Sequence, residues 1–144
     1  MDYMRVVALS KDSIIPTRTY TTDAGYDLYS MVKLTLWPGE IATVGTGIAV
    51  DIPRGYVGLV HPRSGLAAKC GVTVLNAPGT IDSGYHGEVK VILVNHSKDP
   101  VLFAYGDRIA QLLIQKIETP VLIETESFNS VTDRGTGGFG SSGR

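Results

Sequence analysis

Apolar and β-branched residues in this chain come in short runs, each cut off by a turn signal, and that punctuation constrains the fold more than any other feature. The runs cover 5–9, 32–36, 40–46, 56–61, 72–75, 89–95, 101–104, 109–117 and 121–125. Between them stand Pro38-Gly39, Pro53-Arg54-Gly55, Pro78-Gly79, Ser97-Lys98-Asp99-Pro100 and Tyr105-Gly106-Asp107. Proline pre-sets φ and glycine supplies φ > 0, so such clusters turn the chain rather than continue an element. Many short strands at regular spacing predict an all-β sandwich, jelly roll or barrel. No long segment carries a helical period; 109–117 is the one ambiguous run, and its neighbours favour strand. One short helix fits after Ser64, because Ala67, Ala68 and Lys69 are good helix formers, Ser64 can cap the start and Gly71 can end it. Arg63, Ser64 and Gly65 then stand at a helix N-terminus, where free N–H groups favour anions and Arg63 adds a bidentate donor. A structural cap beside a surface arginine explains the same residues.

The chain has 144 residues, enough for one domain that buries about two-thirds of its unfolded surface. A net charge of −1 argues against a general nucleic-acid binder, while leaving room for a small anionic ligand. A single cysteine, Cys70, allows no internal disulfide, and Cys70 with His61, His86 and His96 shows no zinc-ligand spacing. The N-terminal stretch Met1-Asp2-Tyr3-Met4-Arg5 leads into an apolar run too short for a signal-peptide core, and nothing later approaches a membrane span. The expectation is a soluble, intracellular protein of the cytoplasm (the host's, if viral), with no nucleic-acid or membrane partner. It has a folded domain over 1–131 and a mobile glycine-rich arm over 132–144.

Four stretches carry candidate chemistry. Asn76-Ala-Pro-Gly-Thr-Ile-Asp-Ser-Gly-Tyr-His-Gly-Glu88 sets Asp82 and Tyr85 among glycines, which let main-chain groups approach a ligand closely. An ordinary β-turn with a solvated aspartate is the plain alternative. Asp23-Ala-Gly-Tyr-Asp-Leu-Tyr-Ser30 places two carboxylates around a glycine, or is simply a turn. Gly106-Asp-Arg-Ile-Ala-Gln-Leu-Leu113 opens a strand with an Asp–Arg pair, read as a salt bridge or a ligand contact. Gln111 sits in a setting so apolar that it needs a partner or a different face. The tail from Thr132 spaces Arg134 and Phe139 among glycine and hydroxyl residues, which suits a lid that wraps phosphate and stacks on a base. A solvated tail is the alternative. No Gly-Lys-Ser/Thr follows, so it is not a Walker A loop.

In order along the chain, Asp23-Ala-Gly-Tyr-Asp-Leu28, Pro62-Arg-Ser-Gly-Leu-Ala67, Gly79-Thr-Ile-Asp-Ser-Gly-Tyr-His-Gly-Glu88, Gly106-Asp-Arg-Ile-Ala-Gln111 and Arg134-Gly-Thr-Gly-Gly-Phe-Gly-Ser-Ser-Gly143 resemble the ordered motifs of the trimeric dUTPase family. His86 is a departure, standing where many relatives carry arginine. The resemblance implies a jelly-roll-like β-barrel, a homotrimer, and sites at subunit boundaries that draw on neighbouring chains. It implies Mg-dependent hydrolysis of dUTP to dUMP and pyrophosphate, which limits uracil incorporation into DNA and supplies dUMP for thymidylate synthesis. By the same resemblance, Asp82 activates the water that attacks the α-phosphorus. Arg63, Ser64, Gly65 and Gln111 serve the phosphates; Asn76, Thr80, Ile81 and Lys90 read the nucleoside; Tyr85 packs on the deoxyribose. Arg134, Phe139, Gly140 and Ser141 close over the substrate. Mg²⁺ rides on the triphosphate without direct protein ligands, and Asp27 is a candidate for its outer shell.

Other classes remain open on sequence alone. A dCTP deaminase would release ammonia, and a nucleotide sensor would bind dUTP without turning it over. A plain structural jelly roll would give Asp82, Tyr85, Arg134 and Phe139 no purpose.

Overall fold

The computed structural model describes residues 3–144; Met1 and Asp2, the start of the N-terminal stretch considered above, lie outside the described residues. The elements follow as β1 (Arg5–Ala8), β2 (Tyr26–Tyr29), β3 (Leu34–Leu36), β4 (Ile41–Gly45), β5 (Ile48–Asp51), β6 (Tyr56–His61), α1 (Ser64–Cys70), β7 (Val72–Val74), β8 (Gly79–Ile81), β9 (Lys90–Asn95), β10 (Val101–Phe103) and β11 (Arg108–Lys116). The chain is thus mostly β with one short helix, as the punctuation predicts. Among the described residues, no helix is long and apolar enough to cross a membrane.

The strands pair into four sheets, ordered β1-β5, β3-β10, β2-β11-β6-β8 and β4-β9-β7. No continuous ladder closes them into the barrel that the sequence led us to expect. Several strands are only three residues long, so each ladder ends at the next turn before it can reach another sheet. The sheets instead wrap one core. Leu28, Leu36, Ile48, Leu93 and Leu112 come from all four sheets and are almost wholly buried. Each such side chain contributes about 1.5–3 kcal/mol on leaving water. The period-2 alternation sets what faces outward: in β11, Ala110 and Leu112 are buried in the core, and Gln111 between them lies on the other face. That resolves the apparent conflict of an amide in an apolar strand.

Asn95 is the largest fully buried polar residue and closes the 95–100 turn. Its Nδ2 donates to the carbonyls of Leu36 (2.9 Å) and Asp99 (2.8 Å), and its Oδ1 accepts from Ser97 N (2.9 Å) and Oγ (2.8 Å). All four of its hydrogen-bonding positions are filled, so its burial carries little penalty.

Three expectations need correction. Ser64 is the first helical residue, not the cap; Arg63 holds the cap position in extended geometry with no side-chain cap bond. Gly71 does end the helix, in the left-handed region at φ 65°. The run 121–125 is not a strand: Val121, Leu122 and Ile123 are 80% exposed or more, and among the described residues no strand pairs with them. The stretch 76–88 is not an ordinary β-turn alone. Its Gly79–Ile81 part is β8, which pairs with β6 in a different sheet from β7 and β9.

Candidate active site

Two cavities gather most of the residues singled out above. The first, of about 280 Å³, is lined by Thr80, Ile81, Asp82, Tyr85, Glu88, Val89 and Lys90. β8 is the last strand of its sheet, so one of its main-chain edges has no strand partner. β9 pairs with β4 from Lys90 onward but meets β7 only from Leu93, which leaves its first residues open on that side. The cavity therefore lies where two strands expose unpaired N–H and C=O groups. Such groups form a rigid template for the donors and acceptors of a flat heterocycle.

The loop that closes this cavity is stitched down. Val89 N donates to Ile48 O (2.8 Å), Thr46 Oγ1 donates to Val89 O (2.5 Å), and Glu88 Oε2 accepts from Gly47 N (3.1 Å). Gly47 has φ 69°, a conformation that favours glycine. Tyr85 donates through its hydroxyl to Glu88 O (3.1 Å), and its ring lies across Gly87, where any β-carbon would collide with it. His86 Nε2 sits 3.1 Å from Asp51 Oδ1 on β5. The Asp82 side chain is exposed and has no hydrogen-bond partner among the described residues. Glu88 is the support of this loop that sequence reasoning missed. A carboxylate two residues from a turn gives no sign that it will bond a distant glycine. Asn76 lies outside the cavity lining; its amide stands beside Gly79 in the β7–β8 connection.

The second cavity, of about 410 Å³, is lined by residues that include Asp23, Gly25, Asp27, Arg63, Ser64, Gly65, Arg108 and Gln111. Asp27, Gln111 and His61 stand opposite one another across β2, β11 and β6. Gln111 donates from Nε2 to Pro62 O (3.0 Å), which ties β11 to the segment leading into α1. A side chain at Gly25 would run into the Gln111 carboxamide, so glycine there lets the two pack. His61 Nε2 is buried with no hydrogen-bond partner among the described residues. The Asp–Arg question also resolves: Asp107 accepts from Ala104 N (2.8 Å) within its own turn, and Arg108 pairs with Asp27 instead. Asp23 likewise accepts from Tyr20 N (2.9 Å) in a local turn.

The arm joins neither cavity. Ile117 N to Gly55 O (2.9 Å) is the last main-chain hydrogen bond between the body and the C-terminal segment among the described residues. Beyond it Arg134 Nε donates to Gly137 O (2.8 Å), Ser141 N donates to Gly138 O (3.1 Å), and Gly140 is a positive-φ glycine. Phe139 stands fully exposed at φ 51°.

Comparison with known proteins turns this geometry into an identification. The dUTPase family model matches residues 11–143. The chain belongs to the dUTPase family. It is 52% identical over 145 residues to the deoxyuridine 5′-triphosphate nucleotidohydrolase of Mycolicibacterium gilvum, covering 97% of this chain and 94% of that one. The Nocardia farcinica enzyme of the same name is 55% identical over 130 residues, covering 90% and 78%. A variant of the staphylococcal bacteriophage 80alpha dUTPase, solved with dUpNHpp, superposes with a TM-score of 0.91 at 37% identity and covers both chains fully. A variant dUTPase of S. aureus phage phi11, described with a structural Mg(II) ion, gives 0.84 at 34% identity over 90% of this chain and 100% of that one.

Proposed function

We propose that this dUTP diphosphatase hydrolyses dUTP to dUMP and pyrophosphate by water attack at the α-phosphorus, in sites assembled from neighbouring protomers of a homotrimer. Hydrolysis of dUTP follows from family membership. One observation carries the rest. The open strand edges with Asp82, the Arg63–Gln111 cavity and the C-terminal arm form three separate parts of one chain. A nucleoside triphosphate needs all three together, so different copies supply them.

In this reading the first cavity selects the deoxyuridine head. Main-chain groups of Thr80, Ile81 and Lys90 match uracil's donor and acceptors, and Asn76 adds its amide from the adjoining connection. Cytosine presents a donor where uracil has an acceptor and so leaves buried groups unpaired, a strong basis for discrimination. Tyr85, held across Gly87, offers a flat wall to the deoxyribose and leaves no space for a 2′-hydroxyl. Asp82 orients the attacking water and takes its proton as the bond to phosphorus forms. Most of the acceleration comes from alignment and from offsetting phosphate charge. Arg63, Ser64, Gly65 and Gln111 grip the phosphates, and the arm brings Arg134, Gly140 and Ser141 to the far end while Phe139 covers the base.

A magnesium ion carried on the triphosphate keeps most of its waters and calls for no direct protein ligand. When bound, it would neutralise charge on the phosphates. The enzyme would work in the cytoplasm, limiting uracil incorporation into DNA and supplying dUMP for thymidylate synthesis.

The test is pyrophosphate release from dUTP, dTTP, dCTP and UTP, each with and without Mg²⁺. We expect turnover of dUTP alone, with Mg²⁺ required for full rate. Ammonia release from dCTP, or tight dUTP binding with no turnover, would overturn the reading in favour of a deaminase or a sensor.

A further inference from the structure

The wall offered to the deoxyribose is not packed into the core. Tyr85 is 49% exposed, so tethers rather than buried surface set the place of its ring. Its main-chain N donates to Asp82 O (3.1 Å), and its hydroxyl donates to Glu88 O (3.1 Å). The far end of the ring therefore takes its position from Glu88.

Glu88 is in turn held by its own side chain. Its Oε2 accepts from Gly47 N (3.1 Å), and the carboxylate lies over the Gly45-Thr46-Gly47 turn. Gly45 makes the room: a β-carbon there would stand 2.5 Å from Oε2, closer than two such atoms can approach. Gly45 lines neither cavity of the site. The turn is fixed to other parts of the body. Gly47 O accepts from Leu9 N (2.8 Å) and Ser13 Oγ (2.6 Å), and Gly45 O accepts from Met31 N (3.1 Å). Glu88 thus joins the phenol to an anchored turn, through its carbonyl on one side and its carboxylate on the other. A wall that rejects a single added oxygen atom works only while it stands still, because small misplacements are costly in a site that depends on fit.

We propose that Glu88 is a positioning residue for sugar selection: its carboxylate, seated on the Gly45-Thr46-Gly47 turn, holds the Tyr85 ring where deoxyribose fits and ribose does not. This rests on the reading of Tyr85 as the wall against the sugar. Glu88 acts as a hydrogen-bond acceptor and takes no part in the chemistry at phosphorus.

The experiment measures kcat/KM for dUTP and for UTP and reads their ratio, with a denaturant titration of each variant alongside. A residue that only supports the fold lowers both values together and leaves the ratio unchanged. Glu88→Ala should lower the ratio about tenfold. Glu88→Gln should keep it within about twofold, since the amide oxygen still accepts from the Gly47 N–H. Gly45→Ala displaces the carboxylate while leaving Glu88 in the chain. It should lower the ratio as Glu88→Ala does, and should add less than about twofold in that background. In a Tyr85→Phe background, Glu88→Ala should change the ratio by less than about twofold, because the tether to Glu88 is already gone. If Glu88→Ala does not fold, Gly45→Ala carries the test. An unchanged ratio in both folded variants would overturn the proposal. So would a Glu88→Gln variant as unselective as Glu88→Ala, since charge rather than the hydrogen bond would then be at work. An undiminished loss in the Tyr85→Phe background would overturn it too. Tyr85→Ala tests the underlying reading and should lower the ratio at least as far as Glu88→Ala. If Tyr85→Ala keeps full selectivity, the wall reading falls and this inference with it; loss at Tyr85 with none at Glu88 or Gly45 sinks the inference alone.

Discussion

The loop over 82–89 and the arm over 132–144 are both rich in glycine and polar residues, yet the structure treats them oppositely. The loop is bonded to the β4–β5 turn through Glu88, Val89 and Thr46 and abuts β5 through His86. Among the described residues, the arm's hydrogen bonds run only within itself, and residues 118–136 are all exposed. Glycine content therefore does not decide whether a segment is tied to the body; its hydrogen-bond partners do. In the proposed mechanism the difference has a purpose. A surface that tells uracil from cytosine must hold its donors still, whereas a cover must leave to admit substrate and release product.

The comparison breaks most visibly at Asp82. Asp82→Asn should cut kcat by about a thousandfold while dUpNHpp binding stays close to that of the unaltered chain. Survival of activity within a few-fold would remove Asp82 from the chemistry. Truncation before Thr132 should lower kcat/KM about a hundredfold and barely move the melting temperature, since the arm adds nothing to the core. Unfolding of that variant would make the arm structural and erase the contrast.

Gly25→Ala is a smaller perturbation on the fixed side. Its new methyl group displaces the Gln111 carboxamide, and KM for dUTP should rise about tenfold with the melting temperature lowered only modestly. Glu88→Ala is the smallest. It leaves the Gly47 N–H without its partner and should cost about 1–2 kcal/mol of stability, read by denaturant titration. A wild-type unfolding midpoint in that variant would show that the loop's stitching is incidental.

The sequence carried much of the fold because turn chemistry is local. Pro38-Gly39 and Pro53-Arg54-Gly55 each mark a boundary, and the apolar runs after them become β4 and β6. What it hid depended on distant partners. β2 is Tyr-Asp-Leu-Tyr, too polar to read as a strand until β11 pairs with it. β8 is Gly-Thr-Ile, which reads as a turn and is a strand only because β6 lies alongside. The run 121–125 has strand composition but no partner strand among the described residues, and so it stays irregular. At the site, residue types announced a carboxylate, an arginine and an amide. Only the coordinates place Asp82 and Arg63 in different cavities, or set Asp27 between two arginines.

The central claim, that one protomer supplies Asp82 and another supplies Arg63, is tested most directly by mixing. Asp82→Asn and Arg63→Gln chains, each inactive alone, are unfolded together in equal amounts and refolded. If the parts come from different protomers, about a quarter of the sites regain both residues and dUTP hydrolysis returns. If both parts belong to one chain, no mixed assembly contains an intact site, and a mixture as inactive as its components would contradict the account.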